Sequence, residues 1–338
     1  MSIFSLKQSL IICLLLTGSV QAQDLSEIEF EPELGGGYPE GIAWNPLTNA
    51  FMVSSLRGGQ VGSVTPDGHY RIFSNDNSLI TTSGIVVDVD RNRLLICNED
   101  VGISTRSLPG TRHRVAQVVE LDLDTGAVQR MYDLSSLSSG ATLANDLAVD
   151  AQGNIYVTDS LQPQIYKVDY LTKEVSVFVR SDLLMSAEKT EASGTKPYLN
   201  GIVYHPDGFL IASDYSRGLL WKIPLNNPQS FTEVQLSARL DGPDGLVLKS
   251  PKELVAVQSF TDNNGKMTGN VVLLDSPDSW ATARIKAVAS PTRLDGPTTA
   301  TLRGDEVWVV NSRYPRLFSD PDNADNTKAF TILKVGFE

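Results

Sequence analysis

The sequence predicts an all-β protein, a six-bladed β-propeller with four antiparallel strands in each blade. Two observations carry this prediction. A short motif recurs six times along the chain, and each copy is followed by short β-rich segments separated by Gly, Asn, Asp and Pro turns. No stretch of useful length has the hydrophobic period of a helix. Four short strands in a unit of roughly 40–60 residues are typical of a propeller blade.

The recurring motif marks the start of the innermost strand of each blade. It consists of a small or polar residue, then Gly or Asp in most copies, then an aliphatic residue. Segments 241–248 and 295–302 are similar over a longer stretch, and each follows an Arg-Leu pair. We call the first residue of each copy its register position. The six register positions are Glu40, Ser83, Asn145, Asn200, Asp244 and Thr298, and successive ones are 43, 62, 55, 44 and 54 residues apart. Six copies predict six blades.

Closure of the ring requires a strand from the start of the chain. The unit that begins at Thr298 supplies only three strand-like segments before the chain ends. We expect residues 28–34 to supply the fourth strand, because pairing of the two ends in one blade covers the edges that both would otherwise expose. Pro32 fits an outer edge strand, where a missing N–H group leaves no ladder partner unpaired.

The first 22 residues are interpreted as a secretory signal peptide. Lys7 gives a short basic start, residues 9–20 form an apolar stretch, and Val20-Gln21-Ala22 is typical of a signal-peptidase site. The apolar stretch is too short for a stable membrane span. Residues 23–338 would then form a single propeller domain, and we expect a periplasmic or secreted protein.

The charge of the chain bears on its partners. The 28 Lys and Arg residues stand against 40 Asp and Glu residues, which gives a net charge of −12. Such a chain repels phosphate backbones and anionic lipid headgroups, so neither nucleic acid nor a membrane surface is an expected partner. Removal of the signal removes Cys13 and leaves Cys97, which we expect in the core. A small-molecule substrate is the predicted partner, and a protein partner is left open.

The register positions are expected to meet at the propeller axis, because every innermost strand begins at the same mouth of the central channel. Four of them carry a carboxylate or a carboxamide: Glu40, Asn145, Asn200 and Asp244. This set of hard oxygen donors suits Ca²⁺, or another divalent cation, better than Zn²⁺, which prefers nitrogen and sulfur. Asn-Gly and Asp-Gly pairs are also common in turns, but turn propensity does not account for Glu40.

The motifs that match a known family are Pro39-Glu40-Gly41, Asn145-Asp146, Asn200-Gly201-Ile202 with Pro206-Asp207-Gly208, and Pro243-Asp244-Gly245. With these motifs in this order, the mature chain resembles the senescence-marker-protein/gluconolactonase family of six-bladed propellers, and more distantly paraoxonase and diisopropyl-fluorophosphatase. The resemblance implies Glu40, Asn200 and Asp244 as calcium ligands, and Asn145 as a further ligand or a substrate contact. It implies hydrolysis of a sugar lactone or a related ester. The position of the catalytic His of paraoxonases is Ser83 here.

Asp244 is the candidate general base or nucleophile. A carboxylate beside a metal ion can orient a water molecule against a carbonyl that the ion polarises. Two alternatives stay open: hydrolysis of a phosphotriester at the same site, and a propeller without catalysis that binds a ligand or a protein. A third resemblance, to strictosidine synthase-like propellers, is less favoured because the carboxylates and carboxamides favour a metal.

Other polar residues are assigned structural roles. We expect His69 and His205 in turns at the opposite mouth. His113 and the arginines at 106, 112 and 114 belong to a second-blade insertion and are expected on its solvent-exposed surface. Two alternatives stay open: His113 faces the channel, and the arginines, at the mouth of the proposed metal site, bind an acidic or hydroxylated substrate. Asp159 and Asp214 end equivalent strands and either support the ligands or cap turns. Asp146 lies one residue beyond a register position and is expected to point away from the axis.

Overall fold

The computed structural model describes residues 27–33, 37–185, 198–261 and 267–337. The interpreted signal peptide and Leu34 lie outside these residues. The described chain forms six sheets, in agreement with the predicted six blades, and all but one of their strand pairs are antiparallel. No helix among these residues is long and apolar enough to cross a membrane.

The first three blades follow the predicted order from the innermost to the outermost strand. Blade 1 contains β2 (Ile42–Asn45), β3 (Ala50–Val53), β4 (Val61–Val64) and β5 (Tyr70–Ser74). Blade 2 contains β6 (Thr81–Asp88), β7 (Arg93–Glu99), β8 (Ala116–Asp122) and β9 (Val128–Asp133). Blade 3 contains β10 (Ala144–Val149), β11 (Ile155–Asp159), β12 (Gln164–Val168) and β13 (Val175–Arg180).

The next two blades share a crossing segment that the sequence did not predict. Blade 4 contains β14 (Leu199–His205), β15 (Phe209–Asp214), β16 (Leu219–Pro224) and β17 (Thr232–Glu233). Blade 5 contains β19 (Pro243–Ser250), β20 (Glu253–Thr261), β21 (Met267–Asp275) and β22 (Thr282–Ala289). Between them, β18 (Gln235–Leu236) pairs in parallel with β22 and adds a fifth strand to blade 5.

Blade 6 closes the ring with a strand from the start of the chain, as predicted, but that strand ends at Phe30, so Pro32 lies beyond it and not in the edge strand. It contains β23 (Pro297–Arg303), β24 (Glu306–Asn311), β25 (Phe330–Val335) and, on its outer edge, β1 (Glu27–Phe30). In the antiparallel pair of β1 and β25, Ile28 lies opposite Ile332 and Phe30 opposite Phe330. A short helix α1 (Tyr314–Ser319) follows β24. Short 3₁₀ segments cover Val89–Arg91, Ser135–Leu137, Asp182–Leu184, Pro228–Ser230 and Pro321–Asn326.

The core lies between neighbouring blades. In the described chain, the buried apolar residues form six clusters, and each cluster joins the facing sides of two adjacent blades. Successive side chains of a strand point to opposite faces of its sheet, and in this ring each face packs against a neighbouring blade. Each sheet is therefore apolar on both faces. Cys97 belongs to the cluster between blades 2 and 3 and is fully buried, as predicted.

Candidate functional site

The structure brings all the register positions to one cavity. The cavity has a volume of about 500 Å³, and because all six blades contribute to its wall it lies on the propeller axis. Its lining at this level consists of Glu40, Ser83, Asn145, Asn200, Asp244 and Thr298. The convergence expected from the repeat is therefore what the fold produces.

In blades 2 to 6, the register positions lie in β-bulges of the innermost strands. The pairing of β14 with β15 passes from Leu199–Asp214 to Ile202–Ala212, so two residues on β14 lie opposite one on β15. The same shift occurs in blades 2, 3, 5 and 6. A bulge re-aims side chains that regular alternation would direct elsewhere. This is how neighbouring residues of one strand both face the axis.

Hydroxyl groups hold the main chain at the four predicted ligand positions. In each case a Ser or Thr of the preceding blade donates a hydrogen bond to the carbonyl oxygen of the ligand residue, which fixes its backbone without using its side chain. The pairs are Thr298 Oγ1 with Glu40 O (2.6 Å), Ser83 Oγ with Asn145 O (2.9 Å), Thr158 Oγ1 with Asn200 O (2.6 Å) and Ser213 Oγ with Asp244 O (3.1 Å).

The glycine that follows several register positions is required by close packing. A Cβ atom on Gly201 would collide with the carbonyl oxygen of Asp244 in the next blade, and one on Gly41 would collide with that of Ser83. No larger residue fits there without displacing backbone. The Gly in the repeat therefore reflects the contact between innermost strands.

The two predicted carboxylate ligands are buried and repel each other. Burial, then the charge of Asp244, raises the pKa of Glu40 well above its usual range. Burial raises the pKa of Asp244 well above its usual range, and the negative charge of Asp146 adds to this rise. A hydrogen bond from the Asn200 side chain opposes it. In the described residues, Glu40 Oε2 and Asn145 Oδ1 are buried acceptors without a hydrogen-bond donor.

These features fit a hard cation. Oxygen atoms of carboxylates and carboxamides are the ligands that Ca²⁺ takes in proteins, and buried carboxylates without partners are stabilised by a positive charge. Across residues 27–33, 37–185, 198–261 and 267–337, no three His, Cys, Asp or Glu side chains gather at metal-binding distance. The predicted set contains two carboxylates and two carboxamides, so it does not depend on such a group.

Glu99 is a buried acid of this cavity that the sequence motifs did not reveal. It ends β7, its side chain lines the cavity, and it is 3% exposed. Burial, then the charges of Asp159 and Asp100, raises the pKa of Glu99 well above its usual range, and Oε2 has no hydrogen-bond donor in the described chain. When the second strands of blades 2, 3 and 4 are aligned, Asp159 and Asp214 lie one position before that of Glu99. Their neighbours Ser160 and Tyr215 are the ones that line the cavity.

The expectation that Asp146 points away from the axis was wrong. Its carboxylate accepts hydrogen bonds from Leu147 N (2.8 Å) and, across to blade 4, from Ile202 N (3.2 Å). It lines a second axial cavity, formed by the innermost strands, and its charge raises the pKa values of Glu40 and Asp244. Burial raises the pKa of Asp146 itself to about 7. The bulge explains the error, because it breaks the alternation on which the expectation depended.

The second-blade insertion also differs from its expected surface role. His113 and Arg112 line the cavity beside the register positions. The loop is held by Asp100, whose carboxylate accepts hydrogen bonds from Ser107 Oγ and Thr111 Oγ1, both at 2.6 Å. Burial, then the charge of Arg112, lowers the pKa of His113. Arg106 instead ties the insertion to the 75–79 loop through backbone carbonyls.

The remaining assignments are structural. Asp159 caps a loop by accepting hydrogen bonds from Leu161 N (2.9 Å) and Gln162 N (3.1 Å), and Asp214 does the same for Arg217 N (2.9 Å). His205, expected in a turn, is the last residue of β14, directly before that turn; it is buried and stacks on Phe209, with a ring separation of 4.1 Å.

The rest of the cavity wall is largely apolar. Leucine, valine, isoleucine and aromatic residues from blades 1, 2, 3, 4 and 6 surround the space beside the register positions. They are Leu56, Val101, Ile103, Leu143, Leu161, Tyr215, Tyr314 and Phe318.

A family model agrees with this architecture. The model described as the SMP-30/gluconolactonase/LRE-like region matches residues 38–279, which include five of the six register positions. The chain belongs to this family. A search of functionally curated proteins gave no significant sequence match to this SMP-30/gluconolactonase/LRE-like protein.

Solved structures share the fold of this SMP-30/gluconolactonase/LRE-like protein at low sequence identity. A gluconolactonase from Xanthomonas campestris is 16% identical, with 89% of this chain and 87% of that chain covered and a TM-score of 0.56. A calcium-binding regucalcin from Agrobacterium tumefaciens is 14% identical, with 91% and 97% covered and a TM-score of 0.57. A protein of unknown function from Bacteroides thetaiotaomicron is 15% identical, with 92% and 76% covered and a TM-score of 0.59.

Proposed function

We propose that this protein is a calcium-dependent hydrolase that opens a lactone, or cleaves a related ester, in the axial cavity. The observation that carries the proposal is the group of buried oxygen donors from four blades. Two of these oxygen atoms, Glu40 Oε2 and Asn145 Oδ1, accept no hydrogen bond from any of the described residues. Membership of a family that includes gluconolactonases supports the same reaction class.

The ligands of the ion would be Glu40, Asn145, Asn200 and Asp244. Bound calcium would act as a Lewis acid toward the carbonyl oxygen of the substrate. Asn200 donates a hydrogen bond to Asp244 and so orients its carboxylate. Asp244 then accepts a proton from the attacking water, the acyl C–O bond breaks, and a proton is returned to the leaving oxygen. Asn145 lines the cavity, and its amide oxygen has no hydrogen-bond donor among the described residues, so this residue would serve as a ligand or as a substrate contact.

The test combines one variant with a substrate panel. Purified protein is analysed for bound metal, then assayed with lactones, aryl esters and phosphotriesters with and without Ca²⁺. Asp244→Asn retains an amide oxygen that can bind the ion but cannot accept a proton at neutral pH. We expect it to bind calcium and to lose about 10²- to 10⁴-fold in rate.

The matched control is Asp241→Asn, the same change at an exposed side chain three residues earlier. It should hydrolyse at the wild-type rate. Full activity of Asp244→Asn would overturn the assignment of the base. Turnover of phosphotriesters alone would favour the phosphotriesterase alternative. Bound calcium without turnover of any substrate would favour a propeller that binds a ligand or protein.

We also propose that the chain is exported to the periplasm or secreted. The basic start, the apolar stretch and the Val20-Gln21-Ala22 sequence support this. Sequencing the N-terminus of the mature protein tests it, and we expect the first residue to be Gln23. A mature chain that begins at Met1 would contradict the proposal.

A further inference from the structure

The apolar part of the cavity wall surrounds the place where a substrate would extend from the candidate metal site. Leu56, Ile103 and Leu143 are nearly buried, at 6%, 9% and 8% exposure, and all three line the cavity. Phe318 in α1 also lines it and is 53% exposed. A large aromatic side chain exposed beside an apolar cavity is typical of a ligand-binding surface.

The neutral hydroxyl groups of the cavity are already engaged. The Ser83 and Thr298 hydroxyls donate to carbonyl oxygens of neighbouring blades. Ser160 Oγ donates to Leu199 O at 2.6 Å. Tyr215 OH donates to Ser259 O at 2.9 Å. These side chains therefore do not offer their donors to a polyhydroxylated ligand.

Tyr314 behaves like Tyr215. Its hydroxyl lies 3.3 Å from Ser259 Oγ and 3.9 Å from Met267 Sδ, both in blade 5. The polar ends of both tyrosines are thus held by blade 5. Their rings add to the apolar wall of the cavity.

Charged groups on the wall come from one side. Apart from the candidate ligands, the acidic and basic side chains that line the cavity are, among the described residues, Glu99, Arg112 and His113 of blade 2 and its insertion. A sugar lactone carries hydroxyl groups around its ring, and each one that is buried without a partner weakens binding. An alkyl or aryl group has no such requirement and gains from contact with the wall.

We infer that the substrate of this site is an apolar lactone or ester, with an alkyl chain or aromatic ring, and not a sugar lactone. This inference rests on the proposed hydrolase function and specifies its substrate class. A cavity of about 500 Å³ is in the range that holds a small organic ligand. The acyl carbon would lie at the candidate metal site, and the hydrocarbon part would lie against Leu143, Leu161 and Phe318.

A homologous series of δ-lactones tests the inference. The value of kcat/KM is measured for δ-valerolactone, for δ-lactones with longer alkyl chains, and for D-glucono-δ-lactone, all with Ca²⁺ present. Each added methylene buried against the wall should raise kcat/KM by about fourfold until the cavity is filled. D-glucono-δ-lactone should react no faster than δ-valerolactone.

A pair of variants ties the preference to the wall. Phe318→Ser should reduce the ratio of kcat/KM between the longest and shortest lactone by about tenfold. The control is Leu171→Ser, which removes an apolar side chain that is 86% exposed and does not line the cavity, and it should keep the wild-type ratio. An unchanged ratio in Phe318→Ser would overturn the inference.

The outcomes separate this inference from the proposed function. A flat chain-length series, or the highest kcat/KM with D-glucono-δ-lactone, would overturn the apolar substrate class and leave the hydrolase proposal standing. Failure of the wild type to hydrolyse any lactone or ester, with calcium bound, would overturn the hydrolase proposal itself.

Discussion

Phe30→Ala is expected to weaken the closure of the propeller ring. Phe30 lies in the four-residue strand β1, is 2% exposed, and has its ring centroid 6.0 Å from that of Tyr70 and 6.2 Å from that of Phe330. Replacing a buried Phe with Ala lowers the free energy of unfolding by about 3–5 kcal/mol. For a chain of this size, that corresponds to a fall in melting temperature of about 5–8 °C.

The same change should reach the candidate site. The seam between blades 6 and 1 holds Glu40 through the hydrogen bond from Thr298 Oγ1 and is further joined by the bond from Trp44 N to Thr301 Oγ1 (3.0 Å). Looser packing at this seam should therefore weaken calcium binding as well. Differential scanning calorimetry gives the first effect, and a calcium titration by isothermal calorimetry gives the second.

The control is Glu29→Ala in the same strand, because the Glu29 side chain is exposed. Its melting temperature should stay within about 1 °C of the wild type, as for most surface substitutions. If the melting temperature of Phe30→Ala equalled that of the wild type, β1 would not belong to the cooperative folding unit. The pairing of the two chain ends would then contribute nothing to the stability of the ring.

Three further predictions concern the site. Burial raises the pKa of Glu99, so the unfolded chain loses this proton at a lower pH than the folded chain does. The free energy of unfolding therefore falls as the pH rises above the usual carboxyl range. Glu99→Gln, which cannot ionise, should therefore increase the free energy of unfolding of calcium-free protein by about 1 kcal/mol or more at pH 7, and by little at pH 4. Urea denaturation measures both values, and equal gains at the two pH values would contradict this prediction. Gly201→Ala should lower the free energy of unfolding by about 1–3 kcal/mol, since its Cβ would collide with Asp244 O, whereas Gly110→Ala, with open space around it, should not. Removing calcium with a chelator should lower the melting temperature, by an amount equivalent to about 2.7 kcal/mol when the ion had been present at 100 times its Kd; an unchanged melting curve would count against the ion.

The repeat was sufficient to predict the fold because each blade needs one innermost strand, and each innermost strand carries one copy of the motif. Closure through β1 followed from the exposed edges that a three-stranded last blade would leave. The sequence did not predict β18, since two residues that pair in parallel with a distant strand leave no hydrophobic period to detect. Helix α1 is also too short to show one.

At the site, the register positions were predictable and their neighbours were not. Strand alternation placed Asp146 away from the axis, but the bulge between Ala144 and Leu147 turns it toward the channel. Glu99 required the alignment of second strands to be correct to one residue, and the comparison of Asp159 with Asp214 chose the adjacent position. His113 depends on the hydrogen bonds that fold the insertion around Asp100, which local sequence does not reveal.

The hydroxyl-to-carbonyl hydrogen bonds described above separate the architecture of the ring from its chemistry. At Glu40, Asn145, Asn200 and Asp244, the contact that joins the blades uses the main chain, so a new side chain can replace the old one while the contact remains. At Ser83 and Thr298, the side chain itself makes the contact. Evolution can therefore exchange the reactive groups of this propeller one at a time at four positions, while the other two are constrained by the integrity of the ring.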